Sequence, residues 1–271
     1  MTSMNHLEVG ACWNGNAPAW TELARAGHDV YRDYLNTPGY LAMLPPINRL
    51  EGIDIGCGEG YNTRQLARRG AQMTAIDIAD LFIAYARAEE AQSPLGITYH
   101  HGSAIALPFE AERFDFASGF MSFMDIPELE QVLAEAYRVL RPGGFLQFSI
   151  LHPCFVPPHR RNLRDAQGVT YGIEVGRYFD RPHGEVEEGL FSTAPAEAKA
   201  RLPKFRIPRF HRPLSEWLNL VMGAGFSIEQ LGEPRPSDEV VRACPALQDA
   251  QVVAYFLHVR GRKPGGSQRR R

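Results

Sequence analysis

Two carboxylates and three glycines are the residues whose types and spacing point to chemistry. Asp54-Ile55-Gly56-Cys57-Gly58-Glu59-Gly60 closes one apolar run, and Asp77 closes the next, 19 residues after Gly58. Glycine is used where the backbone takes a positive φ or where another group approaches too closely for a Cβ. In an open parallel sheet, ligands bind beyond the carboxyl ends of the strands, where a strand turns into its helix. The start of that helix offers unpaired N–H groups and a positive potential. A carboxylate about 20 residues further on is placed to take both hydroxyls of a ribose. The glycines therefore let a nucleoside lie against the backbone, and Asp77 holds its sugar.

Such a loop needs a parallel sheet to carry it, and the chain supplies one. Apolar runs alternate with helical patterns from Arg49 onward, the signature of βαβ units. Strands are expected at Gly52–Ile55, Gln72–Ile78, Gly96–Ser103, Arg113–Gly119 and Phe145–Leu151, with helices at Asn62–Gly70, Ala79–Gln92 and Ile126–Gly144. The last of these puts Leu129, Leu133, Ala136 and Leu140 on one face and stops at Arg141-Pro142-Gly143-Gly144. After the insertion, a helix (Leu214–Phe226) and two strands (Ser227–Gly232 and Gln251–Gly261) complete the pattern. The fold class is α/β, a Rossmann-like sheet of seven mostly parallel strands with helices on both faces. Residues 1–48 form an N-terminal helical cap with helix at Ala17–Leu35, and 49–151 the nucleotide-binding core. Residues 152–212 are an insertion with a hairpin-like Val169–Phe179, 213–262 the rest of the core, and 263–271 a disordered basic tail.

The D-x-G-x-G-x-G spacing departs from the G-x-G-x-x-G of dinucleotide sites, whose third glycine falls one position later than Gly60. With "AIDI" at Asp77, "LPFEAERFDFASG" before the fourth strand and "AYRVLRPGGFLQFS" leading to the fifth, the stretch from Asp54 to Leu151 resembles the class I S-adenosylmethionine-dependent methyltransferases of the methyltransferase type 11 kind. That resemblance implies an enzyme using S-adenosyl-L-methionine. Gly56, Cys57 and Gly58, with Gly60 completing the loop, would pass beneath the methionine and ribose. Asp54 would orient the amino group, Asp77 bind the ribose and Ile78 pack on the adenine. Ser103 and Ala104 would hold the adenine edge, where the family often has an aspartate in place of Ser103. Phe120 and Met121 would close over the site.

A sulfonium methyl is already electrophilic, so a methyltransferase mainly aligns the acceptor and excludes water. Where the acceptor must lose a proton, His152 is the first candidate, because "LHPCF" places it at the end of the fifth strand and an unperturbed imidazole suits the task at neutral pH. Trp20, Tyr31, Tyr178 and His211 are substrate-side candidates. His100 and His101 leave the third strand on alternate faces and read as core or surface. The insertion is rich in aromatics and histidine, and a loop that long is usually a lid or binding element. The acceptor is accordingly expected to be a small molecule with an apolar or aromatic body.

Composition narrows the alternatives. The chain has 271 residues, 44% of them apolar, and a net charge of −2, an ordinary globular balance with no basic excess for nucleic acid. Pro153-Cys154 superficially fits cytosine C5 methylation, but "SGFMSF" stands where amino-methylating nucleic-acid enzymes carry N/D-P-P-Y/F. No run of roughly 18 apolar residues suits a membrane. The four dispersed cysteines suggest neither a disulfide framework nor a metal site. The expectation is a cytoplasmic monomer or homodimer without membrane, metal or nucleic-acid partners. An NAD(P)-dependent oxidoreductase and a non-catalytic S-adenosylmethionine-binding protein are the alternatives.

Overall fold

The computed structural model describes residues 4–265. Helix α1 (His6–Arg25) opens it. The Asn5 side chain accepts the N–H groups of Leu7 and Glu8, and Glu8 reaches back to the Asn5 N–H at 2.9 Å. This reciprocal capping pair satisfies donors that a helix start leaves orphaned. The expectation of a helix from Ala17 therefore missed about three turns. The chain turns at Gly27, runs through a π-helical segment at Arg32–Asn36, and enters α2 (Thr37–Met43).

Strand and helix then alternate through β1 (Glu51–Ile55), α3 (Tyr61–Ala67), β2 (Gln72–Asp77), α4 (Asp80–Gln92), β3 (Thr98–His101), β4 (Phe114–Phe120), α5 (Leu129–Val139) and β5 (Leu140–Leu151). The insertion holds β6 (His159–Arg164), β7 (Thr170–Gly176), β8 (Glu185–Gly189), α6 (Ala196–Arg201) and β9 (Phe205–Arg209). The core resumes with α7 (Leu214–Gly223), β10 (Ser227–Gly232), α8 (Asp238–Ala243) and β11 (Phe256–Arg262). Seven strands pair in the order β10-β11-β5-β4-β1-β2-β3, and β11 runs antiparallel to both neighbours. The strand order reverses at β1, which lies between β4 and β2, so a crevice opens at the carboxyl ends of these strands.

Strand residues alternate between two apolar layers, as the pleat requires. Ile53, Ile55, Ala117, Leu146 and Phe148 pack with α5 and α7, where Leu129, Val132, Leu133, Ala136 and Val139 form the buried stripe. Met73, Ala75, Phe116 and Phe145 pack the other layer with Leu66 of α3 and with Ile83 and Ala86 of α4. Gly52 lets β1 and β4 meet in that second layer: a Cβ there would stand 2.2 Å from the Phe116 ring. Gly52→Ala is expected to cost about 3 kcal/mol by overpacking, read as a lower urea midpoint. Combining it with Phe116→Leu should recover most of the loss.

Four boundaries differ from the sequence expectation. Leu140 leaves α5 and begins β5, and the register shift between Phe114 and Phe116 of β4 absorbs the Arg141–Gly144 turn. The seventh strand starts at Phe256 because Pro245–Gln251 coils into 3-10 turns. Val169–Phe179 is not itself a hairpin; Thr170–Gly176 pairs with His159–Arg164, and β8 pairs with β9. Lys263 is no part of a tail: it is buried, and its ammonium donates to the carbonyls of Tyr137 (3.0 Å) and Leu140 (2.8 Å). The remainder of the expected tail, from residue 266, lies outside the described residues.

Candidate functional site

A cavity of about 340 Å³ occupies the crevice, within the size range of small-molecule sites. The β1–α3 turn forms its base. Gly56 (φ 76°) lies against the next loop, where a Cβ would come within 2.3 Å of the Ser122 side chain, and the Ser122 hydroxyl donates to the Ile55 carbonyl at 2.7 Å. Gly58 (φ 55°) faces open space, with nothing within 4 Å of a would-be Cβ. The first glycine thus joins two loops, and the second leaves the surface bare for a ligand. Gly60 caps α3 outside the lining, against Tyr99.

Asp77 lies at the end of β2. Its two oxygens accept the N–H groups of Gly58 and Ala79, each at 2.8 Å. One lone pair per oxygen is used, and the other remains for two hydroxyls of a ligand. Burial raises its pKa while these backbone donors oppose the rise. Ile78, Ser103 and Ala104 continue the same wall, and Gly10 allows α1 to rest on Ile78, where a Cβ would meet its side chain at 3.0 Å. His101 donates from Nε2 to the Ile78 carbonyl (3.0 Å) and His100 stacks on Phe109; neither lines the cavity.

Phe120, Met121 and Ser122 form the opposite lip. Met121 holds a left-handed backbone (φ 56°), uncommon for a side chain of its kind and the sort of strain that clusters at ligand sites. At the far end of the glycine loop, Asp29, Arg32, Tyr61 and Asn62 enclose a charged corner. The Arg32 guanidinium lies 3.8 Å over the Tyr61 ring and pairs with Asp33 at 2.8 Å. Burial pushes the Asp29 carboxyl up to about 6, with Arg32 opposing.

The other half of the cavity is aromatic. His6, Val9, Trp13 and Trp20 come from one face of α1, and Phe191, Ile207 and Arg209 from the β8–β9 part of the insertion. Trp20 packs edge-on to Trp13 (5.3 Å between centroids) and to Phe191 (4.8 Å). The buried Asn16 amide exchanges two hydrogen bonds with the Arg206 backbone, at 2.8 and 2.9 Å, which fixes α1 to β9 as if it were a neighbouring strand. The 3-10 turn Phe123–Asp125 after β4 completes this end.

Several candidates stand elsewhere. His152 does not reach the cavity: its Nδ1 accepts the Cys154 N–H (3.2 Å) and its Nε2 faces the Glu233 carboxylate (2.8 Å), so both ring nitrogens are occupied in a buried turn. Tyr31 stacks on Tyr255 and donates to the Ala246 carbonyl. Tyr178 accepts the Leu214 N–H, and His211 donates to the Tyr178 carbonyl; these three side chains pack segments together outside the lining. Asp54 also lies beneath it, accepting the Thr63 hydroxyl at 2.6 Å, and burial pushes its carboxyl up to about 6. It supports the glycine turn from below. Cys57 does line the cavity, but burial drives its thiol well above the ordinary range, so it is a small side chain rather than a nucleophile. Cys154 lies away from the cavity, its sulfur 3.8 Å from the Tyr178 hydroxyl.

His6, Trp13, Asp125 and Arg209 escaped the sequence reading. The Asn5-x-x-Glu8 box was the available signal for α1; once the helix starts there, His6, Val9, Trp13 and Trp20 fall on one face by their spacing of three, four and seven. Nothing local marks Asp125, whose place depends on the insertion folding back. Among the described residues, no group of three or more His, Cys, Asp or Glu is arranged to hold a metal ion, and no helix is long and apolar enough to cross a membrane.

The residues present fit S-adenosylmethionine. Asp77 offers two acceptors for a ribose, Gly58 leaves an open surface, Ser103 has a hydroxyl for an adenine edge, and Arg32 has a guanidinium for a carboxylate. Comparison with known proteins agrees. The family described as "Methyltransferase domain" matches residues 53–148. The malonyl-[acyl-carrier protein] O-methyltransferase of Salmonella typhimurium is 33% identical over 201 residues, covering 70% of this chain and 70% of that protein. A ubiquinone biosynthesis O-methyltransferase of Pseudomonas entomophila is 32% identical over 101 residues, 37% of this chain and 44% of the relative. Other curated relatives are matched over 26% and 48% of their own length. Among solved structures, an S-adenosylmethionine-dependent methyltransferase from Mesorhizobium loti has a TM-score of 0.65 at 28% identity, covering 83% of this chain and 96% of that one.

Proposed function

Since the chain belongs to the class I S-adenosylmethionine-dependent methyltransferases, we propose that it methylates a small molecule with an aromatic or apolar body. One observation carries this reading: the Asp77–glycine half and the Trp13–Trp20–Phe191 half line a single cavity. S-adenosylmethionine, when bound, supplies a methyl group on a positively charged sulfur. Asp77 takes its ribose, Ile78 and Ser103 flank its adenine, and Arg32 faces its carboxylate end. The tryptophans, Phe191 and Ile207 hold the acceptor and exclude water. Orientation of this kind contributes roughly 7–11 kcal/mol toward a methyl transfer. His152 has no part in it, because its nitrogens are spent on Cys154 and Glu233. The malonyl-carrier and ubiquinone-pathway relatives methylate oxygen by their names, which makes hydroxyl and carboxyl acceptors the first to screen.

Titration calorimetry with S-adenosylmethionine, S-adenosylhomocysteine and NADH tests the donor half. The two sulfur nucleosides are expected to bind at about micromolar Kd, equivalent to roughly −8 kcal/mol, and NADH not at all. Transfer of labelled methyl to a panel of aromatic acceptors tests the rest. Binding of NADH alone would return the oxidoreductase reading, and nucleoside binding with no methyl consumed across the panel would favour a binding protein.

A further inference from the structure

The charged side chains of the cavity are nearly all paired. Arg209 donates to Glu187 (2.8 Å), His6 Nδ1 faces Glu128 (3.1 Å), Arg32 holds Asp33 (2.8 Å), Glu59 accepts from Arg25 (3.1 Å), and Asp77 is held by two backbone N–H groups. Asp125 is the exception. It is 4% exposed and lines the cavity, and among the described residues its carboxyl receives no hydrogen bond. The attraction it feels is from Arg209, whose guanidinium is committed to Glu187.

Its position separates it from the nucleoside. The Phe123–Asp125 turn packs against β9, part of the insertion rather than of the nucleotide-binding sheet. Asp77, Ser103 and the glycine turn lie across the crevice at the ends of the parallel strands. Around Asp125 the lining is Met124, Ile126, Ile207 and the tryptophans of α1, apolar surface without a donor to spare. A buried carboxyl left without a partner costs free energy, and a ligand that brings a donor removes the cost.

We infer that Asp125 selects the acceptor, accepting a hydrogen bond from a hydroxyl or amine carried on an aromatic ring that lies against Trp13 and Trp20. The inference rests on the methyltransferase reading of the same cavity. It also states what is refused: a carboxylate on that ring would face Asp125 with like charge. The recognised chemistry is the ring with its donor, and oxygen and nitrogen donors are separate arms of the test.

The test uses the full chain saturated with S-adenosylhomocysteine and four probes that share one ring: 2-naphthol, 2-naphthylamine, 2-methoxynaphthalene and 2-naphthoate, each titrated by calorimetry. In the wild type, at least one donor probe should bind about 10-fold or more tighter than 2-methoxynaphthalene, the scale of a hydrogen bond to a charged group. In Asp125→Asn that advantage should shrink to about 3-fold or less, while 2-naphthoate gains about 10-fold. A gain of affinity for the anion is a readout that loss of packing does not produce. Equal binding of donor and methoxy probes in the wild type, or the same discrimination in both proteins, overturns the inference. The affinity for S-adenosylhomocysteine, measured first, keeps the two readings apart. Its absence in the wild type strikes the methyltransferase site itself, and its presence without ring discrimination strikes Asp125 alone.

Discussion

Asp77→Ala should weaken S-adenosylhomocysteine binding by about 10²- to 10⁴-fold, the loss of two hydrogen bonds to a charged group at roughly 1.5–3 kcal/mol each. The side chain does two tasks. Its free lone pairs face the cavity, and its used ones hold the N–H groups of Gly58 and Ala79 at 2.8 Å. Removal therefore takes away the ribose partner and releases the turn on which the nucleoside lies. Asp77→Asn separates the tasks: one amide oxygen still accepts, so the affinity loss should be smaller and the urea midpoint close to wild type. Calorimetry gives the first quantity and urea denaturation the second. A Kd for Asp77→Ala within threefold of wild type would remove Asp77 from the site.

The readability of this site in the sequence follows the range of the interactions that build it. The glycine turn and Asp77 are local: a strand end, a helix start and about 20 residues between two acids carry their geometry in the spacing. The whole sheet was legible for the same reason, since each βαβ unit announces itself by alternation of pattern. Trp20 was legible from its place in an amphipathic cap. His152 was misread because spacing placed it at the end of β5 but could not show which way the ring turned. Its direction is set by Glu233, 81 residues away, in the segment after β10. Tyr178 and His211 were misread for a related reason, each being used to tie the insertion together. Asp125 is the converse case. Its neighbours Ile207 and Arg209 come from β9, and only the folded insertion turns an acid at the end of a short turn into a buried wall of the cavity.

That burial has a consequence for stability that needs no acceptor to measure. Burial pushes the Asp125 carboxyl up from 3.8 to about 7, with Arg209 opposing weakly. A folded pKa above the unfolded one means that the folded state binds more protons between the two values, so stability falls as pH rises through that window. Below about pH 4 the acid is protonated in both states and costs nothing; above about pH 7 the full cost is present. Three pKa units correspond to about 4 kcal/mol, an upper bound because water in the cavity solvates part of the charge. Asp54 and Asp29, each pushed up to about 6, add cost of the same sign in the lower part of the window. Asp125→Asn removes the largest of the three without changing the shape of the side chain. It is expected to raise the urea midpoint at pH 8 and to leave it nearly unchanged at pH 5, so that the variant loses less stability than wild type over that interval. Thermal melts in matched buffers give the same comparison, with roughly 2–4 °C per kcal/mol for a chain of this size. Equal pH slopes in the two proteins would mean that Asp125 is solvated and ionised in the resting cavity, with no unmet hydrogen bond for an acceptor to satisfy.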